Sequence, residues 1–313
     1  MSKSILQTPF WAQFKAKSGW QQYNIADTSA LIKKIFKDYS MAYIPEVSNK
    51  DWASWIPQFS KEIKLYTKSH KLIFTRLEIL EPTERQDIQK ELTANHYKKS
   101  FEFVQPDHRR IIDISGTNDE ILAQMKPKGR YNIKVAEKHG VQVETHNDTA
   151  NLDKDTDIAY SLIACTGGRK NFGVREKAYF KDLLSVLYDN DSGALFLAKY
   201  EGKPLAALII TYYDGVASYF YGGSSFEHKE TMAPYLAHWE VIQEAKRRNC
   251  QTYDMLGAAP PDQPNHPYAG FARFKEQFGG SYVHLLGSFD LIFNPIYYKM
   301  FCLAQKRRRH GVI

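Results

Sequence analysis

Between Ala194 and Tyr221 the chain reads as three strands, Ala194–Tyr200, Pro204–Tyr212 and Ala217–Tyr221, separated only by Glu201-Gly202-Lys203 and Asp214-Gly215. Connections this short, with glycine in them, are hairpin turns, so successive strands belong side by side in one sheet. A helix follows. Thr231–Pro234 opens it, Leu236, Trp239, Ile242 and Ala245 give it an apolar face, and it stops at Asn249 before another strand, Thr252–Leu256. Upstream, helices at 155–165 and from 175 to 188 flank a glycine-rich loop.

The first half repeats this grammar with different local signals. Thr8-Pro9 marks a helix start, because threonine accepts a backbone N–H and proline at the first helical position loses nothing. Trp20–Ala26 and Met41–Ile44 read as short strands around a helix at 28–38, and Lys71–Leu80 as a strand closed by Pro82. Residues 83–97 read as helix and 110–115 as strand. Thr117 and Glu120 have capping-box spacing, and that helix runs until Pro127 interrupts it. A further helix from Arg130 ends near His139, with Gly140 suited to the left-handed position that closes it and Val141–Thr145 as the next strand.

At 313 residues, two domains are the natural division. Hydrophobic residues make up 43% and charged residues 25%, which is the balance of a folded globular protein. No apolar run is long enough to span a bilayer, and the opening residues lack the pattern of a signal peptide. Three cysteines without metal spacing (Cys165, Cys250, Cys302) argue against a disulfide framework, so the cytoplasm is the expected compartment. The net charge of +7 favours anionic partners such as RNA, a nucleotide-linked substrate or an acidic membrane. The ten histidines show no zinc spacing, and no metal is expected.

Both halves share a helix–strands–helix–strand order. The expected fold class is α+β, with two tandem acetyltransferase-like (GNAT-like) domains of mixed sheets flanked by helices. Residues 1–146 plus 288–313 would form the first and 147–287 the second. Acetyltransferases hold the CoA pyrophosphate in a glycine-rich loop ahead of a helix. Here that turn reads Gly-Gly-Ser-Ser-Phe-Glu-His-Lys-Glu-Thr-Met-Ala-Pro, which lacks the loop's pattern, and Pro234 removes a donor amide, so CoA is not expected.

Residues 268–280, Tyr-Ala-Gly-Phe-Ala-Arg-Phe-Lys-Glu-Gln-Phe-Gly-Gly, set a lysine among aromatics and glycines just after a proline-rich loop. Other motifs precede it in order: Gln7-Thr-Pro-Phe-Trp-Ala-Gln-Phe-Lys15 with Gly19-Trp20; Arg130-x-Asn-Ile-Lys-x-Ala-x-Lys-x-Gly140-Val141; Arg175-x-x-x-Tyr179; Tyr219-x-Tyr221-Gly-Gly-Ser-Ser225; Tyr253 to Gly257; then Pro260-Pro261 and Asn265 to Tyr268. Together they resemble the FemABX-like aminoacyl transferases, which attach amino acids from charged tRNA to peptidoglycan precursors. Two features depart from that pattern. Ile44-Pro-Glu-Val lacks the family's Pro-x-Gly-Pro turn, and no long charged helical pair resembles the coiled-coil arm of larger members, which points to the compact type.

The resemblance implies roles. Lys15, Arg175 and Tyr179 match residues that hold the diphosphate of UDP-MurNAc-pentapeptide, a fit for two cations and a phenol donor, although Lys15 and Arg175 also read as solvated helix charges. Tyr219 and Tyr221 alternate along a strand and project to one side; either is a sheet-face tyrosine or faces substrate, with Tyr221 nearer the Gly-Gly turn. Asp113 resembles a carboxylate facing the substrate cleft, and reads equally as a cap on the turn at Ser115-Gly116. Lys126, Lys128, Arg130, Lys134 and Lys138 suit tRNA phosphates or a solvated face. Lys306-Arg-Arg-Arg309 suits tRNA or anionic lipid, or is a frayed tail.

The implied reaction moves an amino acid from aminoacyl-tRNA to the side-chain amine of the stem peptide's diamino residue, on UDP-MurNAc-pentapeptide or the lipid-linked form, lipid II. The ester is already activated, so alignment and charge stabilisation suffice, without cofactor or covalent enzyme intermediate. Lys275 would meet the oxyanion, Phe274 would dry its surroundings, and the proton would leave through Asp113, water or the tRNA ribose hydroxyl. Peripheral contact with the inner membrane surface fits a lipid-linked acceptor. Two rival readings are another acyltransferase acting on a protein N-terminus or small amine, and a non-catalytic tRNA- or envelope-binding protein.

Overall fold

The computed structural model describes residues 3–48, 50–170, 173–263, 265–266 and 268–310, the side chains of 169, 170 and 308–310 excepted. The chain forms two compact units, one of Met1–Asp107 with His284–Ile313 and one of His108–Val283. The expected class, α+β with helix-flanked mixed sheets, is the one adopted.

In the first unit, α1 (Pro9–Ala16) starts as expected, with the Thr8 side chain accepting from the Trp11 amide. Strands β1 (Gln21–Ile25), β2 (Thr28–Phe36) and β3 (Tyr39–Val47) follow as an antiparallel meander. The helix expected at 28–38 is therefore strand β2. Its hairpin turn uses Ala26 and Asp27, both with positive φ (46° and 54°), a conformation that alanine rarely signals. Helix α2 (Trp52–Ser69), which the sequence reading did not identify, leads to β4 (Leu72–Pro82), parallel to β3, then α3 (Gln86–Ala94) and the short β5 (Lys98–Lys99). Side chains alternate across this sheet. Ala30, Ile32, Ala42 and Ile44 join α2 in one core, while Leu31, Met41, Tyr43 and Phe74 join α1 in another.

The second unit opens with β6 (His108–Asp113), α4 (Asn118–Gln124), α5 (Pro127–Lys138) and β7 (Gln142–His146). The Thr117/Glu120 capping box is formed, and Gly140 closes α5 at φ 77°. Residues 108–146 pack in this unit, whereas the sequence division put them in the first. The reason is non-local: β6 pairs with β11 (Thr252–Gly257) and β7 with β8 (Gly193–Tyr200), and α5 packs on α8 (Ala233–Arg247). Helix α6 (Leu152–Lys170) runs through Gly167 and Gly168, where a loop was expected, and α7 (Lys177–Asp189) follows. The meander β8, β9 (Lys203–Tyr213), β10 (Val216–Ser224) is as expected, with both turns left-handed at Glu201-Gly202 and Asp214-Gly215. Ala194, Phe196, Leu208 and Ile210 pack with α8. The intervening Leu195, Leu197 and Ile209 are also buried, on the side covered by α6 and α7.

After α9 (Ala269–Lys275), β12 (Ser281–Ile292) pairs antiparallel with β4 over Leu285–Ile292. It leads to α10 (Pro295–His310), whose Tyr297, Tyr298 and Phe301 cover the β2–β4 sheet in the first unit.

Candidate active site

A cavity of about 290 Å³ lies in the second unit, walled by β10, the loop into α8, α8 itself and α9. Its shape starts with a bulge. Tyr219 opposes Ile210 and Tyr221 opposes Ile209, so Phe220 is an extra residue and the two tyrosines stand opposite consecutive positions. They point to opposite faces, not to one side as alternation suggested. Tyr219 lines the cavity and meets His238 of α8 edge-on, with ring centroids 4.7 Å apart. Tyr221 packs on Phe180 of α7, and its hydroxyl is 3.0 Å from that of Tyr179. The Gly-Gly pair serves both faces: a Cβ on Gly222 would sit 2.2 Å from the Tyr219 hydroxyl, and one on Gly223 2.3 Å from the Leu162 carbonyl of α6.

Lys275 ends α9 and lines the cavity with only 7% of its surface exposed. Its ammonium donates to the carbonyls of Met255 (2.7 Å) and Gly257 (2.6 Å). These acceptors exist because the β11–β6 register breaks between Asp254 and Gly257, where Leu256 takes φ 52°. Two neutral acceptors leave the third N–H for a ligand. Nζ stands 5.6 Å from the Tyr219 ring centroid. Burial lowers the Lys275 pKa to about 8, against the opposing pull of Asp254, so the ammonium is acidic for a lysine. Phe274 packs on Tyr235, His238 and Phe278 and forms a dry wall beside it.

His238 is a site residue that the sequence reading missed. It is 1% exposed, lines the cavity, and shares a 2.7 Å hydrogen bond between Nδ1 and the Tyr253 hydroxyl. Burial, with the Lys275 charge adding to it, pulls its pKa down to about 3, which keeps the imidazole neutral beside the ammonium. One signal was available: a histidine four residues before Ile242, on the apolar stripe of its helix.

The other expected residues lie elsewhere. Arg175 is exposed just before α7, its guanidinium 5.6 Å from the Tyr179 ring centroid. Arg175, Tyr179 and Tyr221 thus form one group on the α7 side of β10. Burial and the neighbouring Tyr221 push the Tyr179 phenol up, so it remains a donor. Lys15, in the last turn of α1, lies over Trp20 at 5.6 Å in the first unit. Asp113 is exposed and does not line the cavity. Its carboxylate accepts from the Ser115 amide (2.9 Å) and hydroxyl (2.6 Å), which hold it below the usual carboxylate range.

Of the basic set, Lys126 pairs with Glu276 at 2.9 Å and Arg130 donates to the Leu122 and Met125 carbonyls at the end of α4. Lys128, Lys134 and Lys138 are exposed. Pro264 and Pro267 of the proline-rich loop, and the side chains of Arg308 and Arg309, lie outside the described residues.

The FemAB family model matches residues 90–201 and 194–306. The chain belongs to the FemAB family. Similar family relatives include the lipid II:glycine glycyltransferase of Staphylococcus epidermidis, 23% identical over 94% of this chain and 89% of that one. The protein of the same name from Staphylococcus aureus is 22% identical with the same coverage. Among solved structures, FemX superposes with a TM-score of 0.82 at 20% identity, covering 96% of this chain and 94% of that chain. This FemAB member therefore shares the FemX fold along nearly its whole length.

Proposed function

We propose that this chain is an aminoacyltransferase that builds the peptidoglycan interpeptide bridge. It takes an amino acid from aminoacyl-tRNA and joins it to the side-chain amine of the stem peptide on UDP-MurNAc-pentapeptide or lipid II. The observation that carries this reading is Lys275: a buried ammonium with a spare donor at a largely apolar cavity, in a FemAB-family chain. The names of its relatives, lipid II:glycine glycyltransferases, support the acceptor class.

In the reaction, the neutral amine attacks the ester carbonyl and the carbonyl π pair moves to oxygen. Lys275 donates to that oxyanion, an interaction that strengthens as charge develops. Phe274 and Phe271 keep the surroundings dry, which raises the worth of the hydrogen bond. Collapse breaks the ester C–O bond and leaves the amide, as the attacking nitrogen gives up one proton and the departing ribose oxygen takes one to leave as a hydroxyl. Asp113, stabilised as an anion by Ser115, is a poor base, so water or the ribose hydroxyl relays that proton. Arg175, Tyr179 and Tyr221 would meet the acceptor's diphosphate. No CoA, metal or other cofactor enters this scheme. A lipid-linked acceptor would require the protein to work at a membrane surface.

The test is transfer of radiolabelled glycine, alanine or serine from charged tRNA to UDP-MurNAc-pentapeptide, and to lipid II in detergent. Labelled amide on either acceptor is expected, and its loss in Lys275→Met. Absence of transfer to both acceptors, from a full set of charged tRNAs and with folded protein, would overturn the reading. The rival acyltransferase acting on a protein N-terminus or small amine would then be tried.

A further inference from the structure

Helix α10 has one face too apolar for water. Its inner side, Tyr297, Tyr298 and Phe301, covers the sheet of the first unit. Its outer side presents Ile296, Met300 and Leu303 at 74%, 47% and 58% exposure. The spacing of four and three residues sets them in one stripe, and Arg307, four further on, continues it. Lys299 and Lys306 are exposed along one edge of that stripe.

The charge along the helix has one sign. From Phe293 to Ile313 the sequence holds five lysines and arginines and no aspartate or glutamate. Phe101, in the loop after β5, adjoins the helix: the Lys306 ammonium lies 5.9 Å from its ring centroid, and the ring is 37% exposed. The acid beside it, Glu102, is turned inward onto Arg76 at 2.7 Å, so it adds little negative charge to the surface.

We propose that the outer face of α10 is a docking surface for an anionic lipid bilayer. An apolar stripe edged by long cations suits the boundary of headgroups and acyl chains: the stripe enters, and lysine stems lie along it with their ammonium groups on phosphate. A protein groove would satisfy the apolar residues but would need its own acids to face an edge of uniform positive sign. No helix among the described residues is long and apolar enough to cross a membrane, and the proposal is of a helix lying on its surface. It deepens the lipid II branch of the function above by bringing the enzyme to the acceptor's own phase, yet its test involves no catalysis.

The full chain is sedimented with vesicles of phosphatidylcholine alone and of phosphatidylcholine with one third phosphatidylglycerol, at low and high salt. Binding to the anionic vesicles that weakens with salt is expected, with at least a tenfold loss in the Ile296→Asp/Leu303→Asp variant and a smaller loss in Lys299→Gln/Lys306→Gln. Circular dichroism of both variants checks that they are folded. Failure of the wild type to bind anionic vesicles, or equal binding by the folded aspartate variant, overturns the proposal. A concentration-dependent dimer that the aspartate variant abolishes, without vesicle binding, would overturn it in favour of self-association. Transfer to lipid II in detergent, measured on the Ile296→Asp/Leu303→Asp variant, reports on the proposed reaction separately and should be unchanged.

Discussion

Among the described residues Arg76, Arg109 and Lys275 are buried cations, and the first and last of them are kept in opposite ways. In the first unit, Arg76 is 1% exposed and held by Asp290 directly across the β4–β12 ladder, through two bonds of 2.8 Å, and by Glu102 at 2.7 Å. Tyr298 of α10 donates to the same Asp290 at 2.8 Å. Those carboxylates push the guanidinium pKa further up, so the group is locked in its charged form. In the second unit, Lys275 has only two neutral carbonyls, and burial wins, drawing it down to about 8. A saturated cation ties elements together. An under-compensated one retains the capacity to act on something that is brought to it.

The contrast can be broken most heavily at Arg76. Replacing it by methionine leaves Asp290 and Glu102 as buried acids without their cation, and a loss of about 3–5 kcal/mol of stability is expected in a denaturant titration. Lys275→Met should do the reverse: unfolding little changed, or slightly harder, and transfer slowed about 100-fold or more, the cost of removing one oxyanion donor. If Lys275→Met unfolds the chain instead, the lysine is structural and the contrast fails.

A middle-sized effect is expected at Gly223→Ala. The new methyl meets the backbone of α6 rather than a mobile side-chain tip, so a cost of about 1–3 kcal/mol should appear in thermal unfolding. The gentlest probe is pH. Catalysis that needs the Lys275 proton should decline as pH rises through about 8. Stability should move the other way. Below pH 8 both folded and unfolded lysine are protonated and the fold carries the full burial cost; between about 8 and the ordinary value of 10.5 the folded state sheds its proton first. Wild type should thus gain stability over that window relative to Lys275→Met, and parallel curves for the two proteins would contradict the assigned shift.

What the sequence disclosed follows the range of the forces involved. Thr8-Pro9, the Thr117/Glu120 box, Gly140 and the two glycine turns act within a few residues, and each does what its chemistry implies. Strand β2 was hidden because Leu31, Ile32, Ile35 and Phe36 fit a helical period, while its turn lacks glycine. Of the candidate site, Lys275 and Phe274, which line one cavity, were legible, and their surroundings less so. The bulge at Phe220, the break at Leu256 that offers two carbonyls, and the burial of His238 depend on strands and helices distant in the chain. Asp113 had two readings, and its bonds to Ser115 are those of the turn cap.

The extra residue in β10 has a genetic consequence. With the sheet standing between them, Tyr219 and Tyr221 answer to different neighbours, so substitutions at the two positions should combine nearly additively although only one residue separates them. Variation can therefore revise one phenol's surroundings without renegotiating the other's. A bulge of one residue lets two neighbouring side chains be altered one at a time.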